Sequence, residues 1–163
     1  MKKLLLILFL IITTIIIIVS CYPMNSIKGS GKIVSEDREL TNFSSIKLLG
    51  SIDVNINYSD NYDCTVRGDD NLISIIKTEV VNNHLQISTT KSYSTTDGLV
   101  VNVNAQEYDE VFISGSGDIN IIDFNNETLS LNINGSGDIT ANGEVQTLIA
   151  IINGSGYIMS KEL

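Results

Sequence analysis

Tryptophan is missing from this sequence, proline and histidine each occur once, and only two of its 163 residues are cysteine. So few cysteines exclude a disulfide-stapled framework, and one histidine leaves little material for a metal cage. Basic side chains are scarce as well: 10 Lys and Arg stand against 19 Asp and Glu, a net charge of −9. Phosphate binding needs clustered Lys and Arg, so a nucleic-acid partner is excluded. The length suits one domain rather than a multidomain machine.

What the chain does have is a long apolar run at its start. Lys2 and Lys3 precede Leu4 to Val19, 16 residues broken only by Thr13 and Thr14, the charged and greasy regions of an export signal. A membrane-spanning helix wants about 20 residues, so an uncleaved anchor is second best. The run ends in Ile18-Val19-Ser20-Cys21, which resembles a bacterial lipobox, with Val19 bulkier than usual. Residues 1–20 are therefore read as a lipoprotein signal, 21–28 as lipidated Cys21 with a tether, and 29–163 as the domain. Removing the signal leaves eight basic residues against 19 acidic. Acyl chains on Cys21 would hold the protein at a membrane, each buried methylene contributing about 0.8 kcal/mol. Tyr22, rather than Asp, follows the cysteine, which by analogy with enterobacterial sorting directs the protein to an outer membrane where the cell has one. The other use of Cys21, after plain export, is a bond to Cys64. Lipidation removes that partner and leaves Cys64 a lone, buried thiol. The tail Ser160-Lys161-Glu162-Leu163 resembles an endoplasmic-reticulum retention signal without its Asp, and the lipobox argues against that address.

Beyond the tether, strand patterns dominate. Ile52, Val54, Ile56 and Tyr58 alternate with polar residues, as do Leu99, Val101 and Val103, the period of strands with one buried face. Lys77 to Val81 and His84 to Thr89 flank Asn82-Asn83, and Asn tolerates the positive φ of a two-residue hairpin turn. Asp70 to Lys77 is the one helical candidate, two turns at most, with Asp69 or Asp70 as its cap. Ser92 to Gly98 reads as a polar loop.

An internal repeat follows. Ile113-Ser114-Gly115-Ser116-Gly117-Asp118-Ile119 recurs as Ile133-Asn134-Gly135-Ser136-Gly137-Asp138-Ile139 and as Ile152-Asn153-Gly154-Ser155-Gly156-Tyr157-Ile158, spaced by 20 and then 19 residues. Gly29-Ser30-Gly31 reads as an earlier, isolated copy. A unit this short cannot bury an apolar face alone, so the units must stack. The prediction is all-β: a right-handed β-solenoid, or β-helix-like stack, of ~20-residue rungs after a less regular N-terminal β half. Its interior columns would be Ile113, Ile133 and Ile152; Ile119, Ile139 and Ile158; Val111, Leu131 and Ala150; and Leu129 with Leu148. Each Gly-Ser-Gly would turn a corner between strands.

Asp118 and Asp138 would then point outward a rung apart, about 5 Å, the separation of a retaining glycosidase pair. Ordinary turn chemistry explains an Asp after Gly better, and the third copy carries Tyr157. A cation between the two carboxylates, with Ser116, Ser136 and Asn134 completing a shell, is a weak candidate, because the calcium β-roll repeat is a denser nonapeptide. No cofactor is implied. Gly-Ser-Gly lacks the following helix of a phosphate loop, His84 has no second ligand nearby, and no GxSxG nucleophile elbow occurs. The six tyrosines include contact candidates, since Tyr favours recognition surfaces.

Arg38-Glu39-Leu40, Phe43-Ser44-Ser45-Ile46, Ile52-Asp53-Val54, Gly68-Asp69-Asp70-Asn71-Leu72, Lys77-Thr78-Glu79-Val80, Leu85-Gln86-Ile87 and the Gly-Ser-Gly-Asp-Ile copies together resemble the putative auto-transporter adhesin head GIN domain family, over about residues 29–163. The resemblance implies an exported, all-β, solenoid-like domain, frequently on bacterial lipoproteins, and brings no catalytic residues. Family members usually continue for further rungs, so the chain is expected to be C-terminally short, with an open last rung that self-associates. The function expected is non-catalytic binding of a glycan, an envelope protein or another copy by a lipid-anchored envelope protein, through an outward face containing Asp118, Asp138, Ser116, Ser136 and Asn134. The alternatives are a polysaccharide hydrolase using Asp118 and Asp138, and a truncated structural product.

Overall fold

The computed structural model describes residues 26–161. The export signal, the lipobox with Cys21, most of the tether and the last two residues lie outside them. Among the described residues, apart from one 3-10 turn at Ile73–Ile75, the regular structure is all strand. In chain order the strands are β1 (Ile27–Lys28), β2 (Ile33–Glu39), β3 (Ser45–Gly50), β4 (Asp53–Tyr58), β5 (Asp63–Asp69), β6 (Ile76–Val81), β7 (His84–Thr89), β8 (Tyr93–Ser94), β9 (Val100–Ala105), β10 (Glu110–Gly115), β11 (Ile119–Gly135), β12 (Ile139–Gly154) and β13 (Ile158–Lys161).

One large sheet runs in the order β2-β5-β9-β4-β11-β10-β3-β7-β6, with β12 on β11 and β13 on β12. The first part of β11 pairs with β4, and its last part pairs with β10. Because β11 and β12 pass through both arms, the sheet curls into an open half-barrel around one core. A coil of regular rungs along the whole chain is not what the path describes: β2-β5, β5-β9 and β6-β7 are antiparallel pairs.

Within the repeat, the stacking follows the predicted register. Val111 pairs with Leu131 and Leu131 with Ala150; Ile113 with Ile133 and Ile133 with Ile152; Ile119 with Ile139 and Ile139 with Ile158; Leu129 with Leu148. The columns extend further than expected, through Ile46 and Leu48 of β3 to Leu85 and Ile87 of β7. Most of these side chains are fully buried, each contributing roughly 1.5–3 kcal/mol. Ile152, at the end of its column, stays 45% exposed.

The change in spacing from 20 to 19 has a local cause. Asp123, at φ 57°, is an extra residue in β11 where the pairing with β12 shifts between Ile122 and Phe124. This is a β-bulge at the point where the strand bends from one arm into the other.

The Asn82-Asn83 hairpin is present, both residues at positive φ, between antiparallel β6 and β7. Three expectations need correction. The helix at Asp70 to Lys77 is only the 3-10 turn Ile73–Ile75, followed directly by β6, and neither Asp caps it. Its isoleucines are β-branched and suit a strand, and the Arg38 guanidinium donates to the carbonyls of Ile73 and Ile76. Gly29-Ser30-Gly31 is not a copy of the repeat corner. Its Gly31 N–H donates to the buried Asp69 carboxylate at 2.6 Å, and the Ser30 hydroxyl to Asp70 at 2.6 Å. Finally, the tether's Ile27–Lys28 and the polar loop's Tyr93–Ser94 form a small parallel pair, β1 with β8.

Candidate functional site

The corners of the repeat lie one on another. The N–H of Ser116 donates to the Gly50 carbonyl, that of Ser136 to Gly115, and that of Ser155 to Gly135, each at 2.9 Å. Such approach leaves no room for a side chain. A Cβ on Gly135 would sit 2.1 Å from the Gly115 oxygen, at a φ of 149°.

After each of the first three corners an aspartate faces outward, and after the last stands Tyr157. The Asp118 N–H donates to Asp53 Oδ1 at 3.2 Å, the Asp138 N–H to Asp118 Oδ1 at 2.9 Å, and the Tyr157 N–H to Asp138 Oδ1 at 2.9 Å. Asp53, Asp118 and Asp138 thus form a ladder in which one oxygen of each carboxylate is spent on the neighbouring backbone. Tyr157, 52% exposed, closes it. The negative charge and hydrogen bonding of Asp138, with a smaller effect of Asp118, push the Tyr157 phenol above its ordinary pKa. Two residues further along the strands stand Asn55, Asn120 and Thr140. Together these line an open groove of about 230 Å³.

Of the residues singled out on sequence, Asp118 and Asp138 come together in this groove. Ser116 and Ser136 stack at the adjoining corners, exposed but outside its lining, and Asn134 lies on the other arm, in a column with Ser114 and Asn153. Asp53 was missed as a ladder member. Gly50-Ser51-Ile52-Asp53-Val54 is a degenerate copy of Gly115-Ser116-Gly117-Asp118-Ile119, hidden by Ile52 where the later copies have glycine. At that first corner Tyr93 donates its hydroxyl to the Ser51 carbonyl and lines a neighbouring groove with Lys91.

Other candidates fall into structural roles. Cys64 is a free thiol, 1% exposed, and burial raises its pKa. His84 sets its Nδ1 against the buried Ser45 hydroxyl. Tyr108 is buried, and Tyr62 packs edge-on against Phe43 at 5.1 Å. Among the described residues no three His, Cys, Asp or Glu side chains gather closely enough to hold a metal ion. Nor is any described helix long and apolar enough to cross a membrane.

Residues 42–161 match the family described as "Putative auto-transporter adhesin, head GIN domain", and the chain belongs to that family. No curated protein matches the sequence. Among solved structures, one described as a putative lipid binding protein from Parabacteroides distasonis is similar at 26% identity and a TM-score of 0.75, covering 85% of this chain and 61% of its own. A putative adhesin from Parabacteroides merdae shares 22% identity at a TM-score of 0.64, over 83% of this chain and 67% of its own. A putative adhesin from Bacteroides fragilis shares 14% at 0.59, over 83% of this chain and 100% of its own. The chain thus spans about three fifths of the first of these neighbours.

Proposed function

We propose that this head GIN chain is an exported, lipid-anchored envelope protein that binds a glycan, without catalysis, along the aspartate ladder of its repeat. The observation that carries the reading is the ladder itself. Each carboxylate spends Oδ1 on the next backbone N–H, and Asp53 and Asp118 keep Oδ2 as an acceptor for a sugar hydroxyl or an ammonium group, while Asp138 also hydrogen-bonds the Tyr157 phenol. Asn55, Asn120 and Thr140 add amide and hydroxyl partners, and the Tyr157 ring offers an apolar face with a polar tip. Such a groove favours neutral or amino sugars over anionic ones. Lipidation at Cys21 rests on the lipobox, and envelope location on that signal and the family. We read the in-register stack from Gly50 to Gly154 as successive rungs of a solenoid, the scaffold that repeats the acceptor at a fixed interval.

A glycan array probed with the labelled protein tests this reading. Wild type should bind neutral or amino-sugar glycans, and Asp118→Ala with Asp138→Ala should weaken that binding at least about tenfold, ~1.4 kcal/mol. Release of reducing ends from a bound polysaccharide, lost in Asp118→Asn with Asp138→Asn, would replace binding by hydrolysis. Labelling with an alkyne fatty acid should mark wild type and not Cys21→Ser; equal labelling would refute the anchor.

A further inference from the structure

On the arm that holds β3, β7 and β10, the outward positions form columns across the sheet. One reads His84, Ser45, Glu110, Ser130 and Ile149; the next reads Gln86, Lys47, Phe112, Asn132 and Ile151. Both end on an isoleucine at the last strand, 46% and 48% exposed. The inner face of the same segment carries Leu148, Ala150 and Ile152. Leu148 to Ile152 is therefore apolar on both faces, the pattern of a strand covered on both sides and flanked on both edges. Among the described residues it has only β11 beside it. Exposed edges are ordinarily guarded by charge, proline or a bulge, yet from Val145 to Gly156 there is no charged residue and no proline.

We propose that this edge pairs with the same edge of a second copy, antiparallel, about a two-fold axis through Ala150. A two-fold interface must be self-complementary, and this register is. Ile149 meets Ile151, Leu148 meets Ile152, Ala150 meets itself, and polar Thr147 meets Asn153. Outward residues stay with outward and inward with inward, so both apolar faces continue across the junction. Electrostatics selects the same strip. Two mature chains, each with eight basic residues against 19 acidic, repel over most of their surfaces, whereas along this edge the first carboxylate, Glu144, stands opposite Gly156, and Glu110 lies two strands in from Ile149. A single strand edge buries less than the ~1,200 Å² of a standard stable interface, so the dimer is concentration-dependent rather than obligate. Pairing with a strand of a different envelope protein would use the same edge without the two-fold.

Full-length Ala150→Cys, oxidised in the membranes of the expressing cells, tests the register. A disulfide-linked homodimer is expected, with mass spectrometry placing the bond between the two substituted positions, and none from Asn134→Cys, which is exposed one strand in from the edge. Adding Ile151→Lys should abolish the link while Cys64 stays protected from maleimide, the sign of an intact core. Absence of the link, its persistence with Ile151→Lys, or a link to another protein would overturn the proposal. Sedimentation of the detergent-solubilised wild type should show mass rising from monomer to dimer with concentration, and Ile151→Lys should remain monomeric. A wild type that stays monomeric throughout also overturns it.

Discussion

Asp118 and Asp138 occupy the same place on successive units of the repeat, and Asp118 Oδ1 accepts the backbone N–H of Asp138 at 2.9 Å. Two like charges are thus held one above the other, with a backbone donor between them.

The bond is exposed, so water replaces it readily. Asp118→Ala should lower stability by no more than about 1 kcal/mol, and Asp118→Asn, whose amide oxygen still accepts, by less than about 0.5. Urea unfolding of the two variants measures both. A large loss in the Asn variant would mean that the carboxylate charge itself holds the stack.

The corners tolerate far less. Gly135→Ala places a methyl 2.1 Å from the Gly115 oxygen, backbone against backbone, and should cost about 3 kcal/mol or more. Gly31 has the positive φ of 80° but nothing within 4 Å, so Gly31→Ala should cost only the left-handed penalty, about 1–2 kcal/mol. Equal unfolding midpoints for the two would contradict the stacked corner.

Position along one column also sets the cost of a cavity. Ile133→Ala removes a side chain that is 1% exposed and should lose about 2–5 kcal/mol. Ile152→Ala, in the same column but 45% exposed, should lose less than half of that. Thermal or urea unfolding of the pair ranks them, and a reversed order would break the register.

Acid should loosen the N-terminal segment. The Ser30 hydroxyl bond, and then Lys32 at 3.3 Å, hold the Asp70 carboxyl below its usual range. A folded-state pKa below the unfolded one gives a contribution present above the unfolded value and lost as pH falls through the folded value. Ser30→Ala should therefore move the Asp70 titration, followed by NMR, up toward the ordinary carboxylate value. An unchanged titration would show that the hydroxyl bond does not form.

Much of the fold was legible because its signals are local or repeated. Asn82-Asn83 announced a turn that two positive φ values require, and the Gly-Ser-Gly copies placed isoleucine over isoleucine. The failures come from contacts between distant residues. Nothing within Gly29-Ser30-Gly31 distinguishes a stacked corner from a turn clamped by Asp69 and Asp70, some 40 residues away. Nothing in the apolar spacing of Leu72 to Ile76 reveals that Arg38 supplies donors to its carbonyls. Asp53 was concealed by Ile52, a buried residue at the place of a corner glycine, so only the pairing of β3 with β10 and β4 with β11 exposes the first ladder position.

The most direct measurement is an amide chemical-shift map of the labelled protein titrated with a neutral oligosaccharide retained on the array. Binding along the ladder predicts perturbation of the Asp118, Asp138, Thr140 and Tyr157 amides, with those of Lys47 and Phe112 on the other arm unmoved. Shifts confined to Lys47 and Phe112, with the ladder silent, would contradict the account.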